Sequence, residues 1–137
     1  MMISTKGRYA LRLMIDLAHQ GKDAKTPLRE VSQRQGISIK YLEQLVSSLV
    51  SAGLLKSVRG AYGGYVIDRP FEEITAGDIL RAAEGSTAPV ACLEEGASVC
   101  LRKHECETFE FWAGLERVID EYVDSVKLSD LIAGRKG

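Results

Sequence analysis

Long hydrophobic runs are missing from this chain of 137 residues. No uninterrupted apolar stretch approaches the roughly 20 residues needed to cross a bilayer. The chain also lacks the basic, then apolar, then small-residue order of an export signal, so the expectation is a soluble, cytoplasmic protein with no membrane partner. Histidine is scarce, with only His19 and His104. No P-loop, GxGxxG turn, Ser/His/Asp order or paired-carboxylate constellation occurs, which argues against an enzyme. His19, near the end of the first expected helix, reads as a surface residue favoured by the helix dipole. Three cysteines cannot all pair within one chain, so thiols or metal ligands are expected rather than a disulfide framework. Internal repeats and low-complexity segments are absent.

What is there is globular in composition. Hydrophobic residues make up 45% and charged residues 27%, at the averages for a folded domain with one modest core. The net charge of −1 hides a division. Residues 1–66 hold ten Lys and Arg against four acids, a net of +6, while 67–137 hold eight against fifteen, a net of −7. A basic half beside an acidic half fits a polyanionic partner, or else two solvated surfaces with no ligand.

Periodicity and capping signals organise the chain. Ser4 or Thr5 can cap a first helix with Tyr9, Leu13, Met14, Leu17 and Ala18 inward, ending near Gly21. Thr26-Pro27 offers a capping hydroxyl before a proline at the first helical position, predicting a short helix from Leu28 to about Arg34 that Gly36 breaks. Ser38 can cap a third helix, with Leu42, Leu45, Val46 and Leu49 inward and Gly53 just past its end. Helix, brief turn, helix is the helix-turn-helix pattern. Leu54–Arg59, the glycine-rich turn 60–64 and Tyr65–Ile67 then read as a β-hairpin. Thr75-Ala76-Gly77-Asp78 resembles a capping box, with Asp in place of Glu or Gln, opening a helix to about Ala83. Residues 86–105 lack periodicity, and a loop of that length is functional or mobile. A last helix from about Glu107 to Val126 carries Trp112, Leu115, Ile119, Tyr122 and Val126 on a coiled-coil-like seam. That stripe suits either packing on the chain's own core or pairing with a second copy.

The expected fold is mainly α with a small β-hairpin wing: a winged helix-turn-helix followed by a long C-terminal helix. The expected organisation is a DNA-binding domain over 1–85, a cysteine-bearing loop over 86–106 and a dimerisation helix with tail over 107–137. In such a fold the second helix of the motif enters the major groove with its N-terminal side chains at base edges. Here those are Ser38, Ile39, Lys40, Tyr41, Glu43 and Gln44. Gln suits adenine, Glu suits cytosine N4, and Lys suits phosphate or guanine. Arg59 at the wing turn has the planar fork to enter a groove or clamp a phosphate. Lys6, Arg8 and Lys56 would hold phosphates without reading sequence.

The cysteines are spaced Cys92-x7-Cys100-x5-Cys106. Three thiolates in one irregular loop suit a soft metal or an iron–sulfur cluster. No C-x2-C knuckle is present, so zinc, held with His104, is the weaker reading. A thiol redox switch is a third, since neighbouring Arg102 and Lys103 would lower thiol pKa values.

The runs STKGRYALRLMIDLA, GISIKYLEQLVSSLVSAGLLKSVRGAYGGYVI and ITAGDILRAAEG resemble the Rrf-type winged-helix regulators of bacteria over nearly the whole chain, to about residue 130. The resemblance implies a homodimer held by its long C-terminal helices and bound to a palindromic operator in double-stranded DNA. It also implies that Glu43 and Arg59 take part in operator reading. The cysteine trio resembles the cluster-binding branch, that of IscR and NsrR, and implies an iron–sulfur cluster of 2Fe–2S rather than 4Fe–4S type. The fourth ligand does not carry over. The IscR-like pattern has His three residues after the last cysteine, where this chain has Phe109. The NsrR-like pattern uses an acid in the partner's first helix, where this chain has Arg8. Local candidates are His104, Glu105 and Glu107. The alternative branch, of CymR-like repressors of cysteine metabolism acting through an enzyme partner, lacks such a trio.

Overall fold

A computed structural model describes residues 3–89 and 107–134. Its elements run α1 (Thr5–His19), α2 (Leu28–Gln35), α3 (Ile39–Ser51), β1 (Leu55–Val58), β2 (Gly64–Ile67), a 3-10 turn (Phe71–Glu73), α4 (Ala76–Glu84), α5 (Phe109–Ser125) and α6 (Leu128–Ala133). The strands form one antiparallel hairpin in which Leu55 pairs with Ile67 and Val58 with Gly64. The mainly helical fold with a hairpin wing is thus as the sequence suggests. No described helix is long and apolar enough to cross a membrane.

Local chemistry places most boundaries. Ser4 caps α1 by accepting from the Lys6 amide, and Ser38 caps α3 by accepting from the Tyr41 amide at 3.1 Å. The α2–α3 turn passes through Gly36 at φ +68°, a left-handed conformation that favours glycine. Thr75 and Asp78 form the reciprocal capping box of α4, with both hydrogen bonds at 3.0 Å. Asp therefore serves in the position where Glu is commoner.

The entry to α2 differs from expectation. Pro27 is the residue before the helix rather than its first member, and no side chain caps it. Thr26 instead exchanges two backbone hydrogen bonds with Tyr65, at 2.9 and 3.0 Å, and is buried. Pairing with β2 satisfies its backbone and draws it away from the helix end. The chain before α2 thereby acts as a third, one-residue strand of the wing.

The core is continuous. Ala10, Leu13, Met14 and Leu17 of α1 meet Val31, Leu42, Leu45, Leu49, Leu54, Ile74 and Ile79. Within the stretch 127–137, expected to be a tail, the described residues 127–134 contribute to this same core. The Ala76 amide donates to the Val126 carbonyl at 2.7 Å and the Leu128 amide to the Ile74 carbonyl at 2.8 Å. These bonds turn the chain back after α5, so Val126 leaves the helix in extended conformation and α6 packs on α1 with Leu128 wholly buried. Leu128→Ala is expected to cost about 2–4 kcal/mol of folding stability, measured by denaturant unfolding. A loss below about 0.5 kcal/mol would mean that α6 is peripheral.

Candidate nucleic-acid interface

The expected DNA-reading residues lie on the start of α3, on the hairpin and on the first turn of α1. Ser38, Lys40, Glu43 and Gln44 are exposed on the first turns of α3, as is Ile39. Tyr41 is different, being half-buried. Its hydroxyl lies 3.2 Å from Thr5 Oγ1 and its ring stands edge-on to Tyr9 at 5.7 Å. It thus joins the start of α3 to α1, and Arg12 stacks over the other ring of the pair, 5.1 Å from the Tyr9 centroid.

Arg59 is exposed immediately after β1. With Lys25 and Arg29 it lines a concavity between the wing and the N-terminus of α2. Lys25 and Arg29 were visible in the sequence only as members of the basic half; the Thr26–Tyr65 pairing is what brings them to the wing. Lys56 points to Asp68 at 3.8 Å across the hairpin, an exposed pair of little energetic consequence. Lys6 and Arg8 are exposed on the first turn of α1, across the Thr5–Tyr41 contact from α3.

Two carboxylates hold this surface in shape. Glu84, the last residue of α4, accepts from the Ser4 amide at 2.6 Å, the Ser4 hydroxyl at 2.8 Å and the Gly7 amide at 3.1 Å. A negative group on the first turn of α1 satisfies orphan amides and complements the helix dipole. A Cβ at Gly7 would stand 2.7 Å from the Glu84 Oε2 atom, so glycine admits the carboxylate. At the other end Asp16, only 3% exposed at its side chain, accepts from Arg34 Nη2 at 2.8 Å, Arg34 Nε at 3.0 Å and Gln35 Nε2 at 2.9 Å. Arg12 in turn donates to the side chain and the carbonyl of Gln35. Burial pushes the Asp16 carboxyl up, but the hydrogen bonds from Arg34 and Gln35 and the Arg34 charge outweigh it and hold the group below its ordinary range.

The long helix is half anchored. Arg81 donates to Asp124 at 2.7 and 3.0 Å and to Asp120 at 3.1 Å, and Thr87 donates to Asp120 at 2.7 Å. The Arg81 hydrogen bond holds the Asp124 carboxyl below its ordinary range. Gly77 lets α5 approach, because a Cβ there would overlap the Asp124 carboxylate. Yet no residue of α5 is fully buried. Of the expected seam, Trp112, Leu115 and Ile119 are half-buried, Tyr122 is exposed, and Val126 lies beyond the helix. The more exposed stripe instead adds Phe111 and Val118, at 64% and 60%, to Tyr122 at 69%. Periodicity alone does not distinguish these two adjacent stripes; the Arg81 clamp fixes which one turns to α4.

Cys92, Cys100, Cys106, Arg102, Lys103, His104 and Glu105 lie outside the described residues. Glu107 is exposed in the turn before α5. Among the described residues no group of three or more metal-ligating side chains occurs.

A helix-turn-helix whose second helix exposes its first turns, followed by a hairpin braced on the motif's own entry, is a winged-helix DNA-binding module. The chain belongs to the Rrf2 family: that family's profile, described as an iron-dependent transcriptional regulator, matches residues 3–134. It is accordingly a transcriptional regulator and not an enzyme. It is 44% identical to the HTH-type transcriptional regulator CymR of Bacillus subtilis, across 100% of this chain and 94% of that protein. It is 36% identical to the HTH-type transcriptional regulator IscR of Yersinia pestis, across 96% and 79% respectively. Among solved structures, CymR of B. subtilis, titled the global cysteine regulator, superposes with a TM-score of 0.79 at 42% identity, covering 99% of both chains. IscR of T. potens superposes with a TM-score of 0.78 at 35% identity, covering 99% of this chain and 89% of that one.

The Asp16 site makes a pH-dependent prediction. Its folded carboxyl titrates below the unfolded value of about 3.9, so the contribution is complete above that value and is lost as pH falls through it towards the lower folded pKa. Asp16→Asn should cost about 1–3 kcal/mol at neutral pH, and the gap from the parent should close below about pH 4. Denaturant unfolding at several pH values measures this; a gap that persists unchanged in acid contradicts the assignment.

Proposed function

We propose that this protein is a homodimeric regulator that binds a palindromic operator in the cytoplasm and senses iron–sulfur status through its three cysteines. The observation that carries the DNA half is the exposure of Lys40, Glu43 and Gln44 on the start of α3 together with that of Arg59 on the wing. Glu43 and Gln44 supply base-edge chemistry, Ser38 and Lys40 flank them, and Lys6, Arg8, Lys25 and Arg29 supply phosphate contacts. The unpartnered stripe of α5, with Phe111, Val118 and Tyr122 exposed, supports the dimer.

The donor set supports the sensing half. Cys92, Cys100 and Cys106 put three thiols within fifteen residues, a soft set suited to an iron–sulfur cluster, with His104 or Glu107 as the local fourth donor. A bound cluster would supply a redox- and iron-sensitive group, and can alter operator affinity only by its differential stabilisation of the two forms. A 2Fe–2S cluster is the type the IscR likeness favours. The second reading is a CymR-like repressor acting through an enzyme partner, favoured by the 44% identity to CymR over 94% of that protein.

Two measurements test this. On a duplex selected from a random pool by the parent protein, Arg59→Ala should bind about tenfold more weakly and reduce the salt slope by about one, with folding unchanged. Equal affinity at fixed salt removes the wing assignment. Anaerobic purification with iron and sulfide analysis should give coloured protein with stoichiometric sulfide, abolished by replacing Cys92, Cys100 and Cys106 with alanine. Colourless zinc protein would favour the zinc site. Metal-free protein responding to thiol oxidation would favour the redox switch, and metal-free protein responding only to an enzyme partner the CymR-like reading.

A further inference from the structure

The wing tip carries a feature that base reading and phosphate binding leave unused. Tyr62 is 93% exposed, the most exposed large hydrophobic side chain among the described residues. A flexible loop would let such a ring fold back onto the hairpin, but this turn is built tightly. The Gly63 amide donates to the Gly60 carbonyl at 3.0 Å, leaving Ala61 and Tyr62 as the two central residues. Gly60 sits at φ +111°, and a Cβ at Gly63 would overlap the Val58 carbonyl oxygen, so both positions favour glycine. The base of the wing is braced by the Thr26–Tyr65 pairing. Tyr62 lines the same concavity as Lys25, Arg29 and Arg59. Its ring is thus an apolar surface held out from a rim of three cations and one acid, Glu30, which pairs with Arg34 at 3.7 Å.

An occupant of that surface must be anionic at its rim and apolar where it meets the ring. Duplex DNA has this composition along the minor groove, where phosphates flank the C–H faces of the deoxyribose rings. We propose that Tyr62 packs its ring against deoxyribose at the minor-groove wall beside the base pairs read by α3, with Arg59 and Lys25 on the adjacent phosphates. Tyr is suited to such a place because its body is apolar and its hydroxyl can still face water or a phosphate oxygen. The contact is to sugar, so it adds affinity and fixes the wing's position without reading a base. This inference rests on the DNA-binding reading above.

Hydroxyl-radical footprinting reports sugar exposure directly and tests the proposal on the full-length protein with the duplex selected by the parent. At saturating protein, Tyr62→Ala should lose protection at one or two sugars per half-site and keep the remaining footprint. Its affinity should fall about five- to twentyfold. The salt slope should stay unchanged, since no charge is removed. Tyr62→Phe should keep the footprint and bind within about twofold of the parent, because the ring is the contacting group. A Tyr62→Ala footprint and affinity equal to the parent's would overturn the role of Tyr62 while leaving the DNA-binding reading intact. Tyr62→Phe as defective as Tyr62→Ala would overturn the ring contact. Failure of the parent to select any duplex over random DNA would overturn the DNA-binding reading itself, and this inference with it.

Discussion

Seating a carboxylate on the first turn of α1 is the interaction on which the rest of the arrangement depends. Through Glu84, α4 ends where α1 begins, and the capped end of α1 is also where Thr5 and Tyr9 meet Tyr41 of α3. The opposite end of α1 is tied to α2 by Asp16 and Arg34. Between these two anchors, one apolar face of α1 is shared by α2, α3, α4, α6 and β2. A helix contacted on so many sides cannot shift for one neighbour alone, because close-packed interiors transmit displacement. The relation between the reading helix and the element from which the cysteine-bearing segment departs is therefore set through α1.

The division of charge acquires a physical reading from the same contacts. Five of the fifteen acids of residues 67–137 hold the fold: Asp78 and Asp130 cap helices, Glu84 caps α1, and Asp120 and Asp124 hold Arg81. Three of the ten cations of residues 1–66 are engaged as well. Arg34 and Arg12 are engaged between α1 and α2, and Lys56 faces Asp68. Among the described residues Lys6, Arg8, Lys25, Arg29, Lys40 and Arg59 enter no ion pair and are exposed. These six cations remain exposed for a polyanionic partner such as the one proposed above.

The helices, their caps and the hairpin were legible in the sequence because they are local. Ser38 bonds an amide three residues away, Gly36 needs only its own left-handed backbone, and Thr75 with Asp78 closes a box within one turn. What the sequence left unread is long-range. Thr26 has the chemistry of a cap, but a strand thirty-nine positions on claims its backbone first. α6 is only six residues long, too short for periodicity to identify, and it exists because Leu128 fills the core beside Ile74. The expected seam of α5 takes in Trp112 and Ile119, whereas the more exposed stripe runs through their equally apolar neighbours Phe111 and Val118. The Arg81 clamp, on the preceding helix α4, sets which of them turns towards α4. In the site, residues on one short helix were found together, whereas Lys25 and Arg29 needed the wing's backbone pairing to join Arg59.

The exposed stripe of α5 completes the geometry of recognition. An isolated helix of 17 residues is marginal in water, and α5 is packed on α4 along one side only. Phe111, Leu115, Val118 and Tyr122 are spaced by four, three and four positions, the interval at which one helix meets a like helix. In the proposed dimer the two stripes face each other across a two-fold axis, so the same residues serve both copies. Because α5 is fixed to α4 by Arg81, and α4 to α1 by Glu84, that axis also fixes the two reading helices relative to each other. A two-fold pair of rigidly held reading heads matches a target with the same symmetry, which for a duplex is a palindrome.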